Sequence, residues 1–200
     1  MNNKRITLAI TGASGAAYSL RLLECLLSAG KEVALLISAP GQIVIGMEMA
    51  DKLPGRPAAI QEVLSERYGA DAGQLQVYGQ QEWTASVASG SGVSDAMVVC
   101  PCTMGSLSAI ACGASNNLLE RAADVTIKEN KKLILVPRET PFSAIHLENM
   151  LKLARLGVVI LPANPGFYHA PASMQDLVDF VVARILDQLG VEHQLMDAWG

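Results

Sequence analysis

RITLAITGASGAAYSLRLLECLLSAG, residues 5–30, decides the fold. A short apolar run meets a small turn rich in glycine and hydroxyl groups, TGASG at 11–15, and apolar residues at helical spacing follow. Strand, tight turn and amphipathic helix together are the opening unit of an α/β fold. The unit repeats along the chain. EVALLIS (32–38), QLQVY (74–78), AMVVC (96–100), KLILVP (132–137) and GVVILP (157–162) read as further strands. Helical patterns cover 16–30, 42–50, 58–69, 105–113, 117–130, 143–157 and 173–190, and Gly30, Gly69, Gly157 and Gly190 supply left-handed stops. Apolar strands alternating with helices predict a doubly wound parallel sheet covered on both faces, Rossmann- or flavodoxin-like, as one domain over residues 1–200.

Half of the 200 residues are hydrophobic and 17% are charged, with a net charge of −4. That balance gives no general attraction to nucleic acid or to an anionic membrane. No apolar stretch reaches the roughly 20 residues that span a bilayer. Cys25, Cys100, Cys102 and Cys112 lack the paired spacing of a zinc site, and no signal peptide precedes the first strand, so a reducing cytoplasm is expected. A mean hydropathy of +0.30 is high for a small chain and is read as apolar surface reserved for a homo-oligomer.

Ligands of a doubly wound sheet bind beyond the carboxyl ends of its strands. The segments there are TGASG, SAPGQ, PCTMG, PRETP and PANPGFYH. TGASG is no dinucleotide fingerprint: GxGxxG is absent, and the second strand ends in Ser38 where a ribose would need an acid. It suits a single phosphate or the polar edge of an aromatic ring, or else it is a plain turn with Ser14 as N-cap.

PCTMGS offers Thr103, Gly105 and Ser106 at a helix start, while Cys102, with no histidine near it in sequence, reads as a buried thiol. Arg121 and Lys128 stand two turns apart on one helix face, within reach of one phosphate or simply solvated. Arg184 borders an apolar face beside Leu177 and Phe180 and needs an anion or a route to water. Arg138 and Glu139 follow a buried strand, either as an ion pair capping the next helix or as a cation beside a proton-transfer carboxylate. The long loop 79–94 carries Trp83. His146, His169 and His193 show no metal spacing.

In chain order, TGASGA, SGS (89–91), PCTMGSLSAI, NLLERAADVTIKE, LVPRETPFS, LENMLKL, LPANPGFYH and LVDFVVARILDQLG resemble the flavin prenyltransferase (UbiX/Pad) family over nearly the whole chain. The resemblance implies a metal-independent enzyme that joins a dimethylallyl group from dimethylallyl phosphate to N5 and C6 of reduced FMN. It implies trimers that build dodecamers, and handover of prenylated FMN to a UbiD-type decarboxylase, as in ubiquinone biosynthesis. By the same resemblance Gly12, Ala13, Ser14, Ser38, Cys102, Thr103, Met104, Gly105 and Arg138 contact FMN. Arg121, Lys128, Tyr168 and Arg184 hold the prenyl phosphate, with Trp83, Ser89 and Trp199 at the substrate, and Ser14, Glu48 and Glu139 are catalytic. Many relatives place Ser and Lys where this chain has Thr103 and Gly105.

Two other functions fit parts of the pattern. FMN-dependent cysteine decarboxylases share the architecture but carry PASANT after the fourth strand and a histidine near the second helix, where this chain has PCTMGS and a His-free GQIVIGMEMA. A non-catalytic flavin carrier would leave Arg121, Lys128 and Arg184 without a task.

Overall fold

The computed structural model describes residues 4–50 and 52–196. Its strands are β1 (Arg5–Ile10), β2 (Glu32–Ile37), β3 (Leu75–Tyr78), β4 (Ala96–Cys102), β5 (Lys132–Pro137) and β6 (Val159–Ile160). All pair in parallel in the order β3-β2-β1-β4-β5-β6. The order reverses between β1 and β4, which places the switch-point crevice beyond Ile10 and Cys102.

Side chains alternate along these strands, so each strand feeds two cores. Ile6, Leu8 and Ile10 of β1 join a core with α1 (Ala16–Ser28), α3 (Pro57–Tyr68) and α7 (Met174–Leu189). Ala9 of β1, with Met97 and Val99 of β4, faces the opposite core with α4 (Met104–Ala111), α5 (Leu118–Lys128) and α6 (Ala144–Arg155). Burial on both faces explains why the strands read as continuous apolar runs. α2 (Ala39–Glu48) bridges the carboxyl edge after β2.

The helices begin within a few residues of the sequence reading. α2 starts earlier than Gln42, because the Ser38 hydroxyl accepts the Gly41 N–H at 3.0 Å and Pro40 suits the first turn. Gly30, Gly69, Gly157 and Gly190 all take left-handed backbone conformations. β6 is shorter than GVVILP, since Pro137, the β5 residue that faces it, has no N–H to return to the ladder. Leu161 and Ala163 still donate to Leu135 and Pro137 carbonyls at 2.9 and 3.1 Å. The 79–94 loop is an ordered crossover with 3-10 turns at Ser86–Ala88 and Gly90–Gly92, pinned by buried Ala85 and Val87.

Arg21 of α1 grips Asp179 of α7 in a two-pronged pair, Nε to Oδ1 at 2.8 Å and Nη2 to Oδ2 at 3.2 Å. The centre of the sheet is closed by Thr11, 1% exposed, just past β1. Its hydroxyl donates to the Pro101 carbonyl at 2.7 Å and accepts the Thr103 N–H at 2.8 Å, so one side chain ties the ends of β1 and β4 together. Thr11→Val keeps the shape and strands the Thr103 N–H, while the Pro101 carbonyl keeps only the Thr11 backbone N–H at 3.2 Å, and the change is expected to cost about 1–3 kcal/mol. A urea unfolding midpoint equal to that of the parent protein would remove this bridge from the account of stability.

Candidate active site

The loops after β1, β2, β4 and β5 meet at the switch point. Gly12 packs so closely on α2 that a Cβ there would lie 2.3 Å from the Pro40 Cβ. Ala13 is buried and Ser14 is exposed. The Arg138 Nε donates to the Ser14 carbonyl at 3.2 Å, and the Arg138 N–H donates to the Cys102 carbonyl at 3.4 Å. Thr103 caps α4, its hydroxyl accepting the Ser106 N–H at 3.1 Å and donating to the Ser106 hydroxyl at 3.0 Å. Gly105 is exposed, with room for a side chain that would meet only Thr103 Oγ1 at 3.9 Å, so the departure from Lys at this position leaves an opening.

The turn after β1 is not capped by Ser14. Gly15 is the N-cap of α1, with φ of 116°, a conformation that favours glycine. The anion on its amides is Glu48, brought in from the end of α2. Glu48 Oε2 accepts the Gly15 and Ala16 N–H groups at 2.9 and 2.8 Å, and the Ser14 side chain also hydrogen-bonds to this carboxylate. Partial burial pushes the Glu48 carboxyl up, but the Ser14, Gly15 and Ala16 hydrogen bonds, with the charge of Arg138, outweigh it and hold the group below the usual carboxylate range. A carboxylate therefore occupies the amides that a phosphate would use.

Cys102 stands as the sequence reads it, a buried thiol, whereas the Arg138–Glu139 pair does not. Cys102 is wholly buried in the α4–α5 core, and burial pushes its thiol up to about 12, so only its backbone reaches the crevice. Among the described residues no ion pair joins Arg138 to Glu139. Glu139 is exposed and its Oε1 accepts the Thr140 N–H at 3.1 Å, while α6 is capped instead by Ser143 and His146. Helix capping by an Arg138–Glu139 pair is thus set aside.

The basic residues form two groups. Arg121 Nε donates to the Ala88 carbonyl at 3.1 Å and pairs with Asp124 at 2.9 Å, and Lys128 pairs with Glu129 over Gly90. Ser89 lies in this same crossover, and exposed Trp83 lies nearer its start. Arg184 and exposed Tyr168 line a cavity beside α7. α5 and α7 cover opposite faces of the sheet, so one chain does not bring the four phosphate candidates together. The reason is topological: α5 belongs to the β4–β5 crossover, whereas α7 follows β6 and returns to pack on α1. Trp199 lies outside the described residues.

Sequence reasoning passed over Thr11, although it stood in the opening motif, and over the Asp187 partner of Arg184. Its spacing three residues after Arg184 was the available signal. Among the described residues no three His, Cys, Asp or Glu side chains group as metal ligands, and no helix is long and apolar enough to cross a membrane.

A Rossmann-type sheet whose switch-point crevice is ringed by hydroxyls, amides and one guanidinium defines a protein of the nucleotide- and flavin-binding class. Residues 1–186 match the Flavoprotein family. The flavin prenyltransferase UbiX of Pseudomonas aeruginosa is 60% identical over 98% of this chain and 94% of its own length. A crystal structure of AnUbiX (PadA1) in complex with FMN and dimethylallyl pyrophosphate superposes with a TM-score of 0.87 at 37% identity, covering 99% of this chain and 98% of that one. A dodecameric FMN-dependent UbiX-like decarboxylase from Escherichia coli O157:H7 gives a TM-score of 0.85 at 38% identity, over 98% and 99% of the two chains. The chain belongs to the flavin prenyltransferase UbiX family of flavoproteins.

The Glu48 cap is testable by pH. Its depressed carboxyl stabilises the fold fully above the unfolded value of about 4.3 and loses that effect as pH falls through the lower folded value. Glu48→Gln is expected to melt earlier than the parent at pH 7, by an amount near 1 kcal/mol after solvent screening. The gap should close as pH is lowered through the carboxylate range, followed by calorimetry. A gap that persists at the acid end would mean the carboxylate charge is not what holds α1.

Proposed function

We propose that this chain transfers a dimethylallyl group from dimethylallyl phosphate to reduced FMN, giving prenylated FMN. The observation that carries the reading is family membership over almost the whole chain, in a protein whose own crevice suits a flavin ring. Gly12 leaves no space for a side chain against α2, Glu48 fills the amides a pyrophosphate would use, and Ser38, Thr103 and Arg138 present hydroxyls and a cation around the opening. Reduced FMN supplies N5 and C6 as the electron-rich atoms that take the prenyl group.

The chain's own residues do the rest. Arg121, Lys128 and Arg184 offset the phosphate dianion and Tyr168 donates to it, which stabilises the charge that grows as phosphate leaves. Trp83 and Trp199 offer aromatic faces that keep water from the allylic cation. Ser14, already hydrogen-bonded to Glu48, and Glu139 move the proton released when the second bond forms.

Because the two basic groups sit on opposite sheet faces, a complete phosphate site needs a second copy of the chain. Exposed Ile43 and Met47 of α2, and Ile145 and Leu151 of α6, supply apolar surface for such an assembly. We take it to be trimer-based and dodecameric, cytoplasmic, and to pass its product to a UbiD-type decarboxylase. Cysteine decarboxylation is disfavoured by the absence of its motifs, and a bare carrier by the basic residues.

Incubation with reduced FMN and dimethylallyl phosphate should yield a flavin heavier by one prenyl group on mass spectrometry; unmodified FMN would leave the carrier reading standing. Glu139→Gln should keep FMN binding and stall turnover. Replacing Arg121, Lys128 or Arg184 by Ala should lower kcat/KM for the donor by roughly 10–100-fold with FMN affinity little changed. Loss of FMN binding in these variants would place the phosphate elsewhere.

A further inference from the structure

The cavity beside α7, of about 810 Å³, holds a chain of polar contacts that the reading above does not use. Arg184 is ion-paired with Asp187 one turn along the helix, and the other Asp187 oxygen, Oδ1, lies 3.1 Å from His193 Nε2. The Leu195 N–H donates to His193 Nδ1 at 3.4 Å, which puts the neutral ring's proton on Nε2, aimed at Asp187. The His193 side chain is only 13% exposed, against 43% for Asp187 and 51% for Arg184. A partly buried imidazole thus backs the carboxylate that competes with any phosphate for the Arg184 guanidinium.

We propose that Asp187 and His193 are positioning residues forming a titratable couple that sets how strongly Arg184 engages the phosphate of the prenyl donor. The proposal rests on the reading of Arg184 as a phosphate ligand. With His193 neutral, the full charge of Asp187 holds Arg184. Protonation at Nδ1 displaces the long Leu195 contact, turns the Asp187–His193 hydrogen bond into an ion pair and loosens the claim of Asp187 on Arg184. The guanidinium is then free to turn to a phosphate dianion, so anion binding and His193 protonation favour each other. The other titratable groups on this cavity are Tyr168 and His169 from the segment after β6, and Glu192 beside His193.

Sulfate tests the couple without titrating itself, since it stays a dianion from pH 6 to 8. Calorimetry of sulfate binding to the intact protein, in two buffers of different ionisation heat at pH 6.5, reads protons taken up. Uptake of a fraction of a proton is expected, together with sulfate binding roughly 5-fold tighter at pH 6 than at pH 8. His193→Gln and Asp187→Asn should abolish uptake and flatten the pH dependence, while His169→Gln keeps both. In turnover, His193→Gln should raise the donor KM at pH 6 and leave it unchanged at pH 8, the donor's own titration cancelling in the ratio to the parent protein. Sulfate bound with no uptake, or uptake that survives His193→Gln, overturns the couple while leaving Arg184 as a ligand. Sulfate that fails to bind, or that binds equally to Arg184→Ala, removes the phosphate reading of Arg184 and the couple with it.

Discussion

The Thr11 hydroxyl is the constraint on which the crevice depends. At a switch point the chain leaves the sheet on both sides at once, and the last carbonyls and amides of the two central strands lose their neighbours. One buried hydroxyl answers this by accepting from the β4 side and donating back to it. With β1 and β4 fixed relative to each other, the turn after β1 and the start of α4 become walls of a defined width. Arg138 then reaches across from β5 to the Ser14 carbonyl, linking a third strand end to the first.

Much of this was legible in the sequence because local chemistry and fold agree. RITLAI and KLILVP coincide with their strands, and PCTMGS reads correctly as a helix start because Thr103 is a short-range cap. One of the readings open for the turn at TGASG, the Ser14 cap, fails for an instructive reason. Local pattern offers Ser14 as the cap, but the cap comes from Glu48, more than thirty residues on, and no spacing rule connects the two. Likewise, helical periodicity sets Arg121 above Lys128 but is silent on which sheet face carries α5. The facing of Arg184 depends on α7 crossing back over the sheet, a fact of topology.

Exposed apolar side chains account for part of the high mean hydropathy. The α2 and α6 helices leave Ile43, Met47, Ile145 and Leu151 exposed. Arg121 and Arg184 are held by neighbouring carboxylates, Asp124 and Asp187, at i+3 positions. Each guanidinium is thus kept in place by a carboxylate of its own helix. Such a carboxylate limits the rotamers open to the guanidinium and competes with any other anion for its charge.

α2 has a further consequence for which changes of length the chain can accept. Its first turn presses Pro40 on Gly12, and its final residue lays Glu48 on the amides of Gly15 and Ala16, so both ends of one helix touch a single short loop. The helix acts as a strut of fixed length. Adding or removing one residue within it would turn the far end by about 100° and shift it by about 1.5 Å. Either change swings the carboxylate off the α1 amides while Pro40 stays in place. Substitutions along the exposed side of α2 leave that length intact, whereas insertions and deletions do not, so the strut itself is indifferent to new side chains there but closed to new residues.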